Sequence, residues 1–250
     1  MHLLRVEEGG ALYDSDEAVD LGQPPGDIII LTSADTEVSL LSAAVATLQG
    51  DADEARTDAP RVRVANYLSL SHPFSVDQYI ANTIAGARLV VVRLLGGSAY
   101  WSYGVQQLRA QAESGGVPVV LLPGDARPDP ELDYLSSFDT QVCRSLSAYL
   151  DAGGHDNALG FLHAISDLLD GTATAAPPRP LLRAGIYWPG REMPDLASLS
   201  DDWVAGAPVA AIIFYRALLQ AGDLAPVDAM ITASARCRLC SIRCRCSAPA

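Results

Sequence analysis

Lysine is missing altogether: all 17 basic residues of this 250-residue chain are arginine. Without lysine there is no G-x-x-x-x-G-K-[ST] phosphate loop, so the chain does not hold ATP phosphates in that way. The bias toward arginine itself reads as GC-rich coding rather than chemistry. No H-E-x-x-H zinc signature occurs. No apolar run reaches the ~18 residues of a membrane span. The opening MHLLRVEEGG is too short and too acidic for a signal peptide, so a cytoplasmic protein is expected. Positive charge is scarce overall. A formal net charge of −13 argues against nucleic acid and anionic membranes as partners. What is present is a large apolar fraction, 49%, which excludes a disordered chain. The length suits one or two domains with real cores.

The apolar runs alternate with helical patterns. Residues 27–32 (DIIILT), 61–66 (RVRVAN), 89–95 and 117–122 (VPVVLL) read as four strands. Between them, Ser33, Ala34 and Asp35 can cap a helix reaching about Leu48. Ser75 can cap one running to about Gly86, and a third runs from about Tyr103 to Glu113. Residues 50–60 form an acidic solvated loop. This β-α order predicts an α/β fold: a parallel-sheet, flavodoxin-like first domain over residues 1–170, with right-handed crossovers. Two further helices are expected near 137–151 and 156–169. Residues 171–182, beginning GTATAAPPRP, read as a linker. Residues 183–233 read as an incomplete second α/β unit, with strands at 185–188 and 209–215 and a helix over 223–233.

The segment 88–104, RLVVVRLLGGSAYWSYG, concentrates the candidate chemistry. A buried parallel strand ends at Gly96 and Gly97, and Tyr100, Trp101 and Tyr103 follow at once. In open α/β sheets ligands sit past the carboxyl ends of strands, and glycines there permit close backbone approach. The three aromatics offer flat stacking surface with polar tips. A tight turn followed by core aromatics is the plainer alternative. Arg93, inside an apolar strand, must be paired if buried. Its partner is Asp125, Asp77 or a ligand carboxylate. Arg216 repeats the pattern after the strand ending Phe214-Tyr215. Both are carboxylate clamps or ordinary ion pairs. His72, in a loop before Pro73, is an axial ligand or acid-base group, or a backbone-bonding histidine. Asp125, after Pro123-Gly124, reads as a turn residue with a cation or amide site as the alternative.

The C-terminal CRLCSIRCRC places Cys237, Cys240, Cys244 and Cys246 close together. Four thiolates can hold tetrahedral zinc, but structural sites separate their two ligand pairs by a longer loop. The composition of residues 234–250 turns abruptly to Arg, Cys, Ser, Ala and Pro. The segment therefore reads as an out-of-frame, disordered tail with no metal site. Cys143 reads as a buried thiol.

The words LVVVRLLGGSAYWSYGVQQL, SHPFSVD (residues 71–77), LLPGDARPDPEL (121–132), RAGIYWPG (183–190) and APVAAIIFYRALLQAGDLAPVD (207–228) carry a resemblance, as does AVDLG (18–22). Together they resemble the N-terminal region of the large subunit of aerobic cobaltochelatase, the CobN type, up to about Ile231. Members of that family are several times longer. The resemblance implies a part of a tetrapyrrole-binding subunit that inserts Co2+ into hydrogenobyrinic acid a,c-diamide in cobalamin biosynthesis. It implies Co2+ as substrate and no cofactor bound by this chain. ATP would be hydrolysed by an AAA+ partner subunit and its companion, of the CobS/CobT type. Catalytic residues remain unassigned, and this chain alone is expected to be inactive. A macrocycle fringed with carboxylates would need aromatic faces and arginine forks. That makes His72, Arg93, Tyr100, Trp101, Tyr103 and Arg216 the candidate substrate-binding residues. Two alternatives stay open: a non-catalytic docking head of a metal chelatase, or a magnesium chelatase H-type subunit.

Overall fold

The computed structural model describes residues 17–50, 60–181, 184–191, 194–201, 203, 206–236 and 240–247, with side chains up to residue 234. It divides into two units, Met1–Arg179 and Pro180–Ala250.

In the first unit four parallel strands, β1 (Ile28–Thr32), β2 (Val62–Asn66), β3 (Leu89–Leu94) and β4 (Val119–Pro123), lie in the order β2-β1-β3-β4. This is the flavodoxin-like order, with the direction of strand addition reversing between β1 and β3. β1 and β3 are buried at every position, as expected where helices cover both faces. One face carries Ile29, Leu31, Val90, Val92 and Leu94. They pack on a 3-10 turn (Tyr67–Leu70), α2 (Pro73–Tyr79) and α3 (Ser102–Glu113). The other carries Ile28, Ile30, Leu89, Val91 and Leu122. It is covered by α1 (Asp35–Gly50), α5 (Thr140–Ala152) and α6 (His155–Asp170). A short helix, α4 (Pro130–Leu135), precedes α5, capped by the Asp129 carboxylate. Among the described residues no helix is long and apolar enough to cross a membrane.

Several local expectations change. His72, rather than Ser75, caps α2: Pro73 occupies the first helical turn, where its missing N–H costs nothing. Ser75 is buried and its Oγ accepts from the Val19 N–H at 2.8 Å. After Tyr79 the helix widens into a π turn over Ile80–Ile84. The segment after α6 is not a free linker. The Asp167 carboxylate accepts from Thr172, Thr174 and the Ala175 N–H. Tyr149 Oη donates to the Ala176 carbonyl, and Asn157 pairs both ways with the Arg179 backbone.

The second unit holds α7 (Leu196–Ser200), β5 (Val209–Tyr215), α8 (Arg216–Ala221), α9 (Ala225–Arg236) and β6 (Cys240–Ser247). β5 and β6 pair in parallel. The strand expected at 185–188 is absent. Pro189 and Gly190, the latter with φ 72°, turn the chain so that Trp188 forms an isolated bridge to Arg191. Tyr187 instead packs edge-on against Phe214, 6.1 Å between centroids, and donates to Asp228 at 2.8 Å. Within the stretch 234–250 expected to be disordered, the backbone of Cys240–Ser247 is a strand paired in parallel with β5. Cys237 lies outside the described residues.

Candidate functional site

The reversal between β1 and β3 opens a crevice at the carboxyl edge of the sheet, the place where α/β folds bind ligands. Thr32 and Arg93 face each other there in register. Arg93 shares its side of the strand with Leu89 and Val91, so its guanidinium enters the layer of α1 and α5. Its Nη1 donates to Glu37 at 2.6 Å, and its Nη2 to Asp151 at 2.8 Å. Its Nε donates to the Pro123 carbonyl at 3.1 Å. Thr32 Oγ1 donates to the second Glu37 oxygen at 2.6 Å, and Ser147 Oγ donates to Asp151 at 3.3 Å. Burial raises the Asp151 carboxyl above the usual carboxylate range, against the pull of Arg93. The crevice is therefore plugged by two carboxylates around one guanidinium, whose side chain is 7% exposed.

This corrects the pairing expected for Arg93. Asp125 turns instead to the Arg127 N–H and Nε, at 3.0 and 3.1 Å, as a turn residue does. Asp77 accepts from Tyr103 Oη at 2.9 Å, on the opposite face of the sheet. That bond raises the Tyr103 phenol above its ordinary value. With its Nη1, Nη2 and Nε all committed to the chain itself, Arg93 does not present a fork to a ligand.

Beside the network a partly open cleft of ≈ 190 Å³ lies between the end of β4 and α5. Its lining includes Pro123, Arg127, Asp133, Arg144, Ser147 and Asp151. Cys143 lies at the same cleft, its thiol pushed up by burial.

The aromatics separate. Trp101 belongs to the core: its ring stacks on Tyr67 at 5.3 Å and its Nε1 donates to the Leu70 carbonyl at 2.9 Å. Gly104 leaves room for that ring, since a Cβ there would collide with it. Tyr100 is 74% exposed and lies over Gly96, whose φ of 86° and missing Cβ admit the phenol ring. The bulky group that this glycine admits is the chain's own tyrosine. His72 Nδ1 accepts from the Phe74 N–H at 3.1 Å, the backbone-bonding role. The residues Trp101 and Tyr103 contact, Leu70 and Asp77, flank His72 in the chain, whereas Arg93 works on the other face. Arg216, half-buried in the second unit, opens α8 and donates to the Leu181 carbonyl at 3.2 Å. Sequence reasoning missed Glu37, Asp151 and Ser147. The available signal was Glu37 in the first turn after β1, at the level of Arg93. Among the described residues no three His, Cys, Asp or Glu side chains gather as a metal-binding set.

These features define an α/β unit whose sheet edge pairs its buried arginine internally, and comparison with known proteins gives its kinship. Over residues 147–248 the chain matches the CobN/Magnesium Chelatase family. More particularly, over 241 residues it is 39% identical to the aerobic cobaltochelatase subunit CobN of Sinorhizobium sp, covering 93% of this chain and 18% of that protein. The CobN subunit of Pseudomonas aeruginosa is 37% identical over 226 residues, 90% of this chain and 17% of that one. The solved catalytic subunit of cobaltochelatase from Mycobacterium tuberculosis superposes with a TM-score of 0.65 at 25% identity, over 90% of this chain and 16% of its own. The chain thus spans less than a fifth of its relatives' length. The family match extends to residue 248, past the stretch from Ile231 to Ser234 where the resemblance was expected to stop, and takes in β6.

Proposed function

We propose that this chain is the N-terminal part of the large, tetrapyrrole-binding subunit of a cobaltochelatase. The carrying observation is the 39% identity to a CobN subunit across 93% of the chain. In this reading the complete subunit inserts Co2+, as substrate, into hydrogenobyrinic acid a,c-diamide in the cytoplasm. Partner subunits of the CobS/CobT type supply ATP hydrolysis.

Within that assembly the first unit acts as a head that docks and braces rather than as the wall of the insertion site. Arg93 spends its donors on Glu37, Asp151 and Pro123, and Trp101 spends its N–H on Leu70. Neither offers what a carboxylate-fringed macrocycle would take. Tyr100 and the acidic surface remain available, and an excess of 30 acidic over 17 basic residues favours a basic partner face.

The test replaces the matching segment of the Sinorhizobium CobN subunit with this chain. Cobalt incorporation is then followed by absorbance with partner subunits, ATP and the a,c-diamide. The chimaera inserts cobalt, and the 250-residue chain alone gives no turnover above a no-protein control. A folded chimaera that inserts no cobalt, or that metallates protoporphyrin with magnesium instead, overturns the reading.

A further inference from the structure

β5 has two unlike faces. Ile212 and Phe214 pack with Val227, Ile231 and Leu224 on the α9 side. Val209, Ala211, Ile213 and Tyr215 form the opposite face, and all four are exposed, Ile213 at 72% and Tyr215 at 64%. No charged residue interrupts this stripe. Parallel strands are ordinarily buried on both faces, and a contiguous bare apolar patch marks an interaction surface.

Two observations say what covers it. The chain spans 18%, 17% and 16% of the three cobaltochelatase subunits it resembles, so most of such a subunit lies outside it. In α/β sheets the layer that closes a strand's second face is a helix. A second copy fits poorly, because two chains of net charge −13 repel. We propose that the Val209–Ala211–Ile213–Tyr215 face seats an amphipathic helix supplied by the remaining polypeptide of a cobaltochelatase-type large subunit. This rests on the functional reading above. The helix presents apolar residues at i, i+3, i+4 and i+7, and a polar neighbour for the Tyr215 hydroxyl at the rim.

The test compares the intact 250-residue chain with the full-length chimaera, both carrying Ile213→Cys. Alkylation of that thiol is read by peptide mass spectrometry, which separates it from the native cysteines. Labelling is fast in the chain and slower by about tenfold or more in the chimaera. Hydrogen exchange of Val209–Tyr215 in the unsubstituted proteins gives the same contrast without a mutation. Equal labelling and equal exchange in both proteins overturn the proposal. Protection already present in the chain alone, with a doubled mass, overturns it in favour of a second copy. Protection without cobalt insertion leaves this proposal standing and fails the functional reading, and insertion without protection does the reverse.

Discussion

β3 and β5 are written in nearly the same alphabet, LVVVRL and VAAIIFY, yet β3 is buried at every position and β5 alternates. The difference lies in layers. β3 has a strand on each side and helices on both faces. β5 has β6 beside it and a single small cluster around Phe214. Burying the five apolar side chains of β3 is worth about 8–15 kcal/mol at ~1.5–3 each, comparable with the whole stability of a domain. Within the described residues β5 gains a fraction of that. Apolar strand sequence therefore sets the capacity for burial, and the neighbouring elements decide how much is used.

The largest expected break in this contrast comes from Arg93→Met. It strands Glu37 and Asp151 in a largely buried layer, and losing one partner of such a network costs about 3–5 kcal/mol. Urea unfolding followed by Trp101 fluorescence, with Trp188 and Trp203 replaced by Phe in both proteins, measures it; a loss below ~1 kcal/mol would show that the network is solvated. Next comes a matched pair. Val91→Ala in β3 costs about 2 kcal/mol, from two lost methyl groups and the cavity they leave. Ile213→Ala on the bare face of β5 stays within about 0.5 kcal/mol. Equal losses at the two positions would erase the comparison.

Limited proteolysis sharpens it further. Residues 171–182 have a linker's composition, but the bonds to Asp167, Tyr149 and Asn157 hold Thr172 to Arg179 on the first unit. The first cut therefore falls between Pro180 and Asp195, and mass spectrometry of the resulting N-terminal core identifies it. A dominant cut within 172–179 would contradict the docking. The smallest effect is acid sensitivity. Hydrogen bonds from Thr172, Ala175 and Thr174 lower Asp167 to about 2, from 3.8. Its stabilisation is complete above the unfolded value and is lost as pH falls from 3.8 toward 2. Asp151, raised by burial, has the opposite sign: its contribution weakens as pH rises from the ordinary carboxylate value to its folded one. The protection factors of the Thr174 and Ala175 amides, referred to the intrinsic exchange rate at each pH, should therefore fall on acidification. No change down to pH ~2 would remove Asp167 from the docking.

Three strands of the first unit were legible as short apolar runs bounded by turn residues and β2 by the alternation of RVRVAN, and their parallel order followed from the helices between them. β6 was missed although Cys240, Ile242, Cys244 and Cys246 alternate with Ser241, Arg243, Arg245 and Ser247, because the abrupt turn to Arg and Cys read as an out-of-frame tail; its pairing with β5 is a tertiary fact. Tyr187 and Trp188 looked like strand residues and form a turn, because Pro189 and Gly190 end the run too soon. Arg93 stood out correctly as an anomaly in an apolar strand. Its partners were hidden because they lie 56 and 58 residues away on α1 and α5. Only the parity of β3, which puts Arg93 with Leu89 and Val91, indicates which helices it meets. The aromatic cluster divided for a similar reason. Trp101 and Tyr103 turn to the Leu70 and Asp77 side, while Tyr100 lies back over Gly96.

Native-state hydrogen exchange on the intact chain tests the central claim most directly, because it reads both strands in one sample. Amides of Leu89–Leu94 should exchange only through global unfolding of the first unit. Those of Val209–Tyr215 should exchange faster by about a hundredfold or more, through local opening of a sheet covered on one face. Equal protection of β3 and β5 would mean that the second unit is as fully closed as the first, and would contradict the account.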